Sequence, residues 1–264
     1  MAPLAFERRP WRTLGWVALA FYVVYAASRL DFTFERFVIG IDNAERFLGR
    51  MFPPEILQAD SMVRGLLESL EISVLASVAG ILISAPLGVL AARNLMPAWV
   101  SWPARALIAL CRSFHPVIVA ILFVKAVGFG ALAGILTLTV ASMGFIGKLF
   151  AEAIEEISLK QVEAVRATGA AFGSVLAYGV LPQVMSRFVG FATYQVDSNL
   201  RNSTMVGIVG AGGIGSTLFA AFQRFDYSFV CAILLAIIAM IMVGETLARV
   251  VRNMLGIDAR RSDA

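Results

Sequence analysis

The chain has 264 residues, of which 59% are hydrophobic and only 15% charged, and its mean hydropathy is +0.81. An ordinary globular domain is roughly 45–50% apolar and about 25% charged, and a chain of this length cannot hide the excess in one water-soluble core, so a soluble α/β enzyme is excluded and a polytopic membrane protein indicated. The 22 Lys and Arg against 18 Asp and Glu give a net charge of +4, but these bases stand at the ends of apolar segments, which fits loops and lipid headgroups and excludes a nucleic-acid surface.

In chain order, Arg8, Arg9 and Arg12 precede an apolar span from about Thr13 to Ala27. A secretory signal would begin this way, yet Ala26-Ala27-Ser28 runs into Arg29 and Asp31 without a small-residue cleavage pattern, so an uncleaved first span is expected. Residues 29–65 read as one long polar connection carrying Asp31, Glu35, Asp42, Glu45, Glu55 and Asp60 among arginines. The next span is Leu66 to Ala92, where Gly80, Ser84 and Gly88 recur every four residues and leave one face bare for a neighbouring helix. Pro86 should kink it. A span from about Ala106 to Val127 follows and holds Arg112, His115 and Lys125; another runs from Ala131 to Phe150. Cys111 and Cys231 lie inside apolar segments, with no disulfide framework and no zinc spacing, and no metal site is expected.

After Phe150 the character changes. Glu152, Glu155, Glu156, Lys160, Glu163 and Arg166 make residues 151–172 too polar for lipid and too long for a simple turn. Ser158 followed by Gln161 is a capping-box pattern that predicts a short helix from about Leu159, ended by Gly169. The apolar run resumes over Val175–Val196 with Pro182 in its first third and Arg187 near the same side, and a last span covers Phe229 to about Leu247 before Arg249, Arg252, Arg260 and Arg261. About six spans place both basic termini on the cytoplasmic side.

Between the last two spans lies Asn199–Phe219, in which Gly210, Gly212 and Gly215 have the spacing G-x-G-x-x-G after an apolar run. Read alone this is a dinucleotide fingerprint, but no strand-helix alternation surrounds it and no acidic residue stands about 20 positions on to hold a ribose. A phosphate-binding lysine loop is equally absent, because around Gly147-Lys148 the positions for the first glycine and the final Ser or Thr are Ser142 and Leu149. Gly207, Ala211 and Gly215 recur every four residues, so the stretch is expected to be a broken or re-entrant segment on the side opposite the Glu163 loop. Asn199, Arg201, Asn202, Ser203 and Thr204 are expected at the outer mouth, and Gly210, Gly212, Gly213 and Gly215 in a gate or path lining, with plain packing as the alternative.

Glu163-Ala164-Val165, three residues, Gly169, then nine residues to Gly179 and on to Leu181-Pro182 resembles the EAA loop of ABC importer permeases. Val165 replaces the second alanine of that pattern and Gly179 its isoleucine. Together with Arg112-Ser-Phe-His-Pro, Lys125-Ala-Val-Gly-Phe-Gly, Leu181-Pro182-Gln183, Asn199-Leu-Arg-Asn-Ser-Thr and Val209-Gly-Ala-Gly-Gly-Ile-Gly, residues 66–252 resemble the phosphonate-type permease. Methionine-importer permeases share the loop and the glycine run.

The resemblance implies an all-α integral membrane protein of the type I ABC importer permease fold, with about six transmembrane helices and a cytoplasmic coupling helix. It divides the chain into residues 1–65, an N-terminal helix and outer loop; 66–252, the permease core with its coupling loop at 151–172; and 253–264, a basic tail. It implies a homodimer in the bacterial inner membrane, two ATPase subunits docked at Glu163, Ala164, Gly169, Leu181 and Pro182, and an extracytoplasmic binding protein. ATP and Mg would be held by the ATPase, so no catalytic residue and no cofactor are expected here. Arg112, His115, Lys125 and Arg187 stay open between plain roles and contact with an oxyanion: snorkelling for the arginines, packing for His115, solvation for Lys125. A self-contained channel or secondary transporter would explain the spans but leave the Glu163 loop without a role, and no inverted repeat is visible.

Overall fold

A computed structural model describes residues 10–30, 33–56 and 58–254, and these are helical with short connections. Two units divide between Pro53 and Pro54. The first holds α1 (Pro10–Arg29) and α2 (Phe34–Met51). Where the charge density of residues 29–65 suggested a polar connection, the chain instead forms α2. Phe34, Phe37, Val38, Ile41, Ala44, Phe47 and Leu48 keep the three-four spacing of an apolar stripe between the charged residues, and that period wins over composition. Thr33 caps α2, its Oγ1 accepting from the Arg36 N–H at 3.5 Å.

The second unit contains α3 (Ala59–Ala91), α4 (Ala98–Ser113), α5 (Pro116–Val127), α6 (Ala131–Glu155), α7 (Leu159–Ala167), the single turn α8 (Phe172–Ser174), a π-helical stretch Val175–Val180, α9 (Leu181–Ile208), α10 (Ile214–Gln223) and α11 (Tyr227–Met254). Among the described residues four segments are long and apolar enough to cross a membrane, namely α3, α6, Phe172–Ile208 and Tyr227–Val250. Two bent pairs, α1 with α2 at 59° and α4 with α5 at 93°, bring the number to at most six. The expected span Ala106–Val127 is therefore broken. Pro116 cannot supply the N–H that would continue α4, so Phe114 and His115 turn extended and α5 restarts with proline in its first turn. The span after the charged loop is longer than Val175–Val196, because Asn199 to Ile208 continue α9.

Pro182 sits inside Phe172–Ile208. Its ring would meet the carbonyl four residues back, and the preceding Val175–Val180 widens into π-helix, which absorbs the misfit without ending the helix. Gln183 covers the loosened backbone, its Nε2 donating to the Gly179 carbonyl at 2.6 Å.

Helices α3, α6 and α9 form the centre. The small-residue face of α3 does what its spacing predicts: Gly80 and Ser84 lie on Ser142, and Gly88 lies against the Phe150 ring. Two apolar clusters close this bundle at its ends. Ile72, Ala76, Ala133, Leu138 and Val206 pack near the start of α6, and Val89, Phe150, Ile154, Val162, Val180 and Val184 near its end. Burying small residues lets backbones approach where lipid supplies no hydrophobic drive between helices.

Candidate functional site

The coupling segment is assembled from its own residues and one distant glutamine. Helix α7 starts at Leu159 as the sequence predicts, but the Ser158–Gln161 capping box does not form, since the Ser158 side chain makes no cap bond. Gln183 takes its place: its Oε1 accepts from the Ser158 N–H at 3.0 Å and its Nε2 reaches the Ser158 carbonyl at 3.4 Å. A neighbouring element thus satisfies a donor that the local sequence seemed to satisfy by itself. At the other end Gly169 has φ +75°, and its N–H bonds the Arg166 carbonyl at 3.0 Å, stopping the helix after Ala167.

Val162 anchors this helix, buried at 1% exposure among Val89, Phe150, Ile154 and Val184. Gly179 explains its own departure from the loop pattern, because a Cβ there would stand 3.3 Å from the Val162 Cα. The rest of the helix faces outward: Lys160, Glu163, Ala164, Arg166 and Gly169 are exposed, as is Pro182, while Leu181 is half-buried. Glu163 makes no ion pair among the described residues. Small side chains and one carboxylate on an exposed helix, held from behind by the buried Val162 and the half-buried Val165, suit insertion into a cleft of another protein.

At the opposite end of α6 the glycine stretch is not one helix. Gly207 closes α9, Val209–Gly213 turn, and Gly215 opens α10, so the stretch is broken as expected and its four-residue recurrence is divided between two helices. It forms two faces that meet: a Cβ on Gly207 would come 2.9 Å from the Gly215 Cα, and one on Gly215 would strike the Thr204 carbonyl. The turn is held from three sides. Gly210 accepts from the Gly130 N–H at 3.0 Å, the Ile214 N–H donates to Ser69 Oγ at 2.9 Å, and Gly212 lies against Glu68 and the Ala131 backbone.

The residues expected at an outer mouth separate. Asn199 is fully buried in the bundle centre, where its Nδ2 donates to Ser77 Oγ at 2.9 Å and to Ser142 Oγ at 2.8 Å. Gln195 Nε2 donates to Asn199 Oδ1 at 2.9 Å and to Ser142 Oγ at 3.0 Å. Ser77 and Ser142 pass their protons to the Ser73 and Leu138 carbonyls. This network ties α3, α6 and α9 and satisfies each polar atom of Asn199. Ser203 is also buried and bonds the Leu200 carbonyl at 2.7 Å, while the buried Thr204 hydroxyl has no partner among the described residues. Arg201 is exposed and pairs with Asp197 at 3.0 Å, and Asn202 reaches Ser198 Oγ at 3.4 Å. Gln195 and Ser77 were not singled out from sequence, and Ser142 and Gln183 were named there without these roles, although Gln195 and Asn199 lie one helical turn apart in an apolar span, which is a readable sign.

Replacing Asn199 by leucine is expected to lower stability by about 1–2 kcal/mol, the usual worth of interhelical hydrogen bonds in membranes. A double-mutant cycle with Ser142→Ala, followed by thermal unfolding in detergent, should find the two effects non-additive.

The four candidate anion contacts also lie apart. Arg187 Nη1 pairs with Glu156 Oε2 at 2.5 Å beside the coupling segment, so its charge is already committed. His115, expected deep in a span, is exposed at the break, where its Nδ1 accepts from the Val117 N–H at 3.3 Å. Lys125 is exposed in the last turn of α5, near the glycine hairpin's end of the bundle. Arg112 ends α4 with its aliphatic stem laid on Gly144.

Comparison with known proteins places this architecture. A phosphite transport system permease protein of Stutzerimonas stutzeri is 40% identical over 248 residues, 92% of this chain and 90% of that protein. A phosphate-import permease protein of Mycolicibacterium smegmatis is 37% identical over 91% of this chain and 45% of its own length. Among solved structures, an inward-facing methionine ABC transporter is similar with a TM-score of 0.65 at 25% identity, covering 73% of this chain and 95% of that one. Residues 84–260, from the last quarter of α3 through the helices that build the hairpin and the coupling segment, match the family described as binding-protein-dependent transport system inner membrane component, and the chain belongs to that family.

Proposed function

We propose that this chain is the permease subunit of an ATP-driven importer for a phosphorus oxyanion such as phosphite, phosphonate or phosphate. The observation that carries the reading is α7, an exposed helix with Glu163 and Ala164 outward and Val162 locked into the bundle. The phosphite and phosphate relatives favour the substrate class. Two copies form the path, a separate ATPase seats on each α7, and a binding protein delivers the anion on the side of the glycine hairpin. The chain crosses the bacterial inner membrane with both termini and α7 in the cytoplasm. It performs no chemistry itself, and ATP and Mg belong to the ATPase.

Closure of the ATPase pair draws the two α7 helices together. Because Val162 and Gln183 fasten α7 to α6 and α9, the pull reaches those helices as rigid-body motion, and the hairpin at their far end opens or shuts. Asn199 and its serines keep α3, α6 and α9 moving as one piece.

The test is reconstitution in liposomes with the ATPase and the binding protein. Uptake of labelled phosphite, phosphonate or phosphate should require ATP and both partners. Transport by the chain alone would support a channel, and uptake of D-methionine without any phosphorus oxyanion would move the substrate to the methionine class.

A further inference from the structure

Helix α4 runs antiparallel along α6: Arg105 pairs with Glu155, Ile108 lies on Gly147, and Arg112 lies on Gly144. Between them, at the end that carries α7, is a cavity of about 500 Å³ whose walls include Arg93, Arg105, Arg112, Lys148 and Glu152. Four cations and one carboxylate, Glu152, therefore line the cavity, a second carboxylate, Glu155, holds Arg105 beside it, and both carboxylates are occupied. Glu155 accepts from the Arg105 guanidinium and, at 2.8 Å, from the backbone N–H of Arg93, which leaves the Arg93 side chain out of that bond. Glu152 is held by Lys148 at 2.7 Å. The Arg112 guanidinium has no partner among the described residues. An excess of positive charge in a concavity with apolar walls focuses its field inward.

The placement of these charges along the helix axes matters. Arg105 and Arg112 are seven residues apart on α4, so the basic wall extends about 10 Å from the end of the bundle into the span. Trp99 and Trp102 are exposed, at 79% and 73%, just before Arg105, where aromatic side chains mark the headgroup level. Arg112 and Lys148 thus stand beyond that level; Lys148 shares its charge with Glu152, whereas the unpaired Arg112 is costly against lipid unless water or an anion meets it. Guanidinium groups match tetrahedral oxyanions with two parallel N–H donors, and an ammonium adds a point charge.

We propose that this cavity is a binding site for a phosphorus oxyanion, with Arg112 and Lys148 as its inner contacts and Arg93 and Arg105 at its mouth. The proposal deepens the transport reading, on which it rests for the statement that this end is cytoplasmic: the anion would meet the site on the release side. The same chemistry is offered by the phosphodiester of an anionic lipid, since the mouth lies at headgroup level.

The experiment uses the full chain, without ATPase or binding protein, in nanodiscs of phosphatidylcholine. Inorganic phosphate is titrated and followed by calorimetry, and in a second arm the chain is purified from phosphatidylglycerol-containing membranes and its retained lipid counted by mass spectrometry. Saturable phosphate binding that weakens tenfold or more in Arg112→Gln and in Lys148→Gln, but not in Arg249→Gln, identifies a free anion. Phosphatidylglycerol retained by the wild type and lost in the same two variants, with no phosphate binding, identifies the lipid phosphodiester. Either result upholds the site. Binding of neither, or equal binding in wild type and both variants, overturns it. Because no transport partner is present, failed uptake alongside intact phosphate binding would count against the importer and not against the cavity.

Discussion

Glu163→Lys is expected to leave the chain folded and membrane-inserted while reducing ATP-driven uptake at least about tenfold, equivalent to about 1.4 kcal/mol of lost coupling. The side chain is exposed and makes no ion pair among the described residues, so its replacement should change stability by no more than about 0.5 kcal/mol. Its position, by contrast, is held by the buried Val162 behind it and by the Gln183 bonds at the helix start. A reversed charge there alters what the ATPase meets without moving the helix. Gly169→Val attacks the same joint through the backbone. Nothing lies within 4 Å of a Cβ at Gly169, yet its φ is +75°, so the cost is conformational, about 1–2 kcal/mol. In that variant the end of α7 is misdirected while the bundle persists. Co-purification with the ATPase, ATPase rate and uptake should be measured together: the assembled complex is expected to survive, with ATP hydrolysis no longer driving uptake. Unchanged uptake in both variants would remove α7 from the coupling mechanism.

The second large effect is expected at the far end of the same helices. Gly212→Val and Gly213→Val should block transport while leaving the ATPase docked. At Gly212 φ is +82°, and a Cβ would stand 2.7 Å from Glu68 Oε1 and 2.8 Å from the Ala131 N; at Gly213 φ is +76°, with Ser69 Oγ in the way. The left-handed backbone and the overpacking together amount to about 3 kcal/mol concentrated on a five-residue turn. Ser69 also accepts the Ile214 N–H that starts α10, so the turn cannot shift without releasing that bond. The coupling segment lies a helix length away, about 37 Å along the 25 residues of α6, and its packing does not involve the hairpin. Normal uptake with either valine would reduce the stretch to a packing element; loss of ATPase binding would show that the two ends are not independent.

The parts of the molecule that were legible in the sequence are those whose cause is local. The lipid-facing character follows from composition, the face of α3 from Gly80, Ser84 and Gly88, and the bounds of α7 from the polar run after Phe150 and the glycine at 169. Local signs that compete with one another were harder to rank. Charges at Glu35, Arg36, Asp42, Glu45 and Arg46 masked the apolar stripe that makes α2 a helix. Apolar continuity from Ala106 to Val127 outweighed Pro116, although a missing N–H and a proline ring decide the backbone whatever the flanking hydropathy. Ser158 and Gln161 had the spacing of a capping box, but a side chain 25 residues away offers Ser158 a better bond.

By itself, then, the sequence determined that this chain crosses a membrane, that an exposed helix interrupts its spans at Glu163, and that Asn199–Phe219 cannot hold a dinucleotide. Only the tertiary structure decided what the polar and glycine residues of that last stretch do. Asn199 could be a mouth residue or a core residue according to whether Ser77 and Ser142, 122 and 57 positions away, come within reach. In an apolar medium a polar side chain must find its partner within the protein, and spacing along a chain does not say which helices become neighbours. Gly207 and Gly215 likewise mark close approach, but whether they share one helix or face each other across a turn was settled by the backbone at Gly210, Gly212 and Gly213.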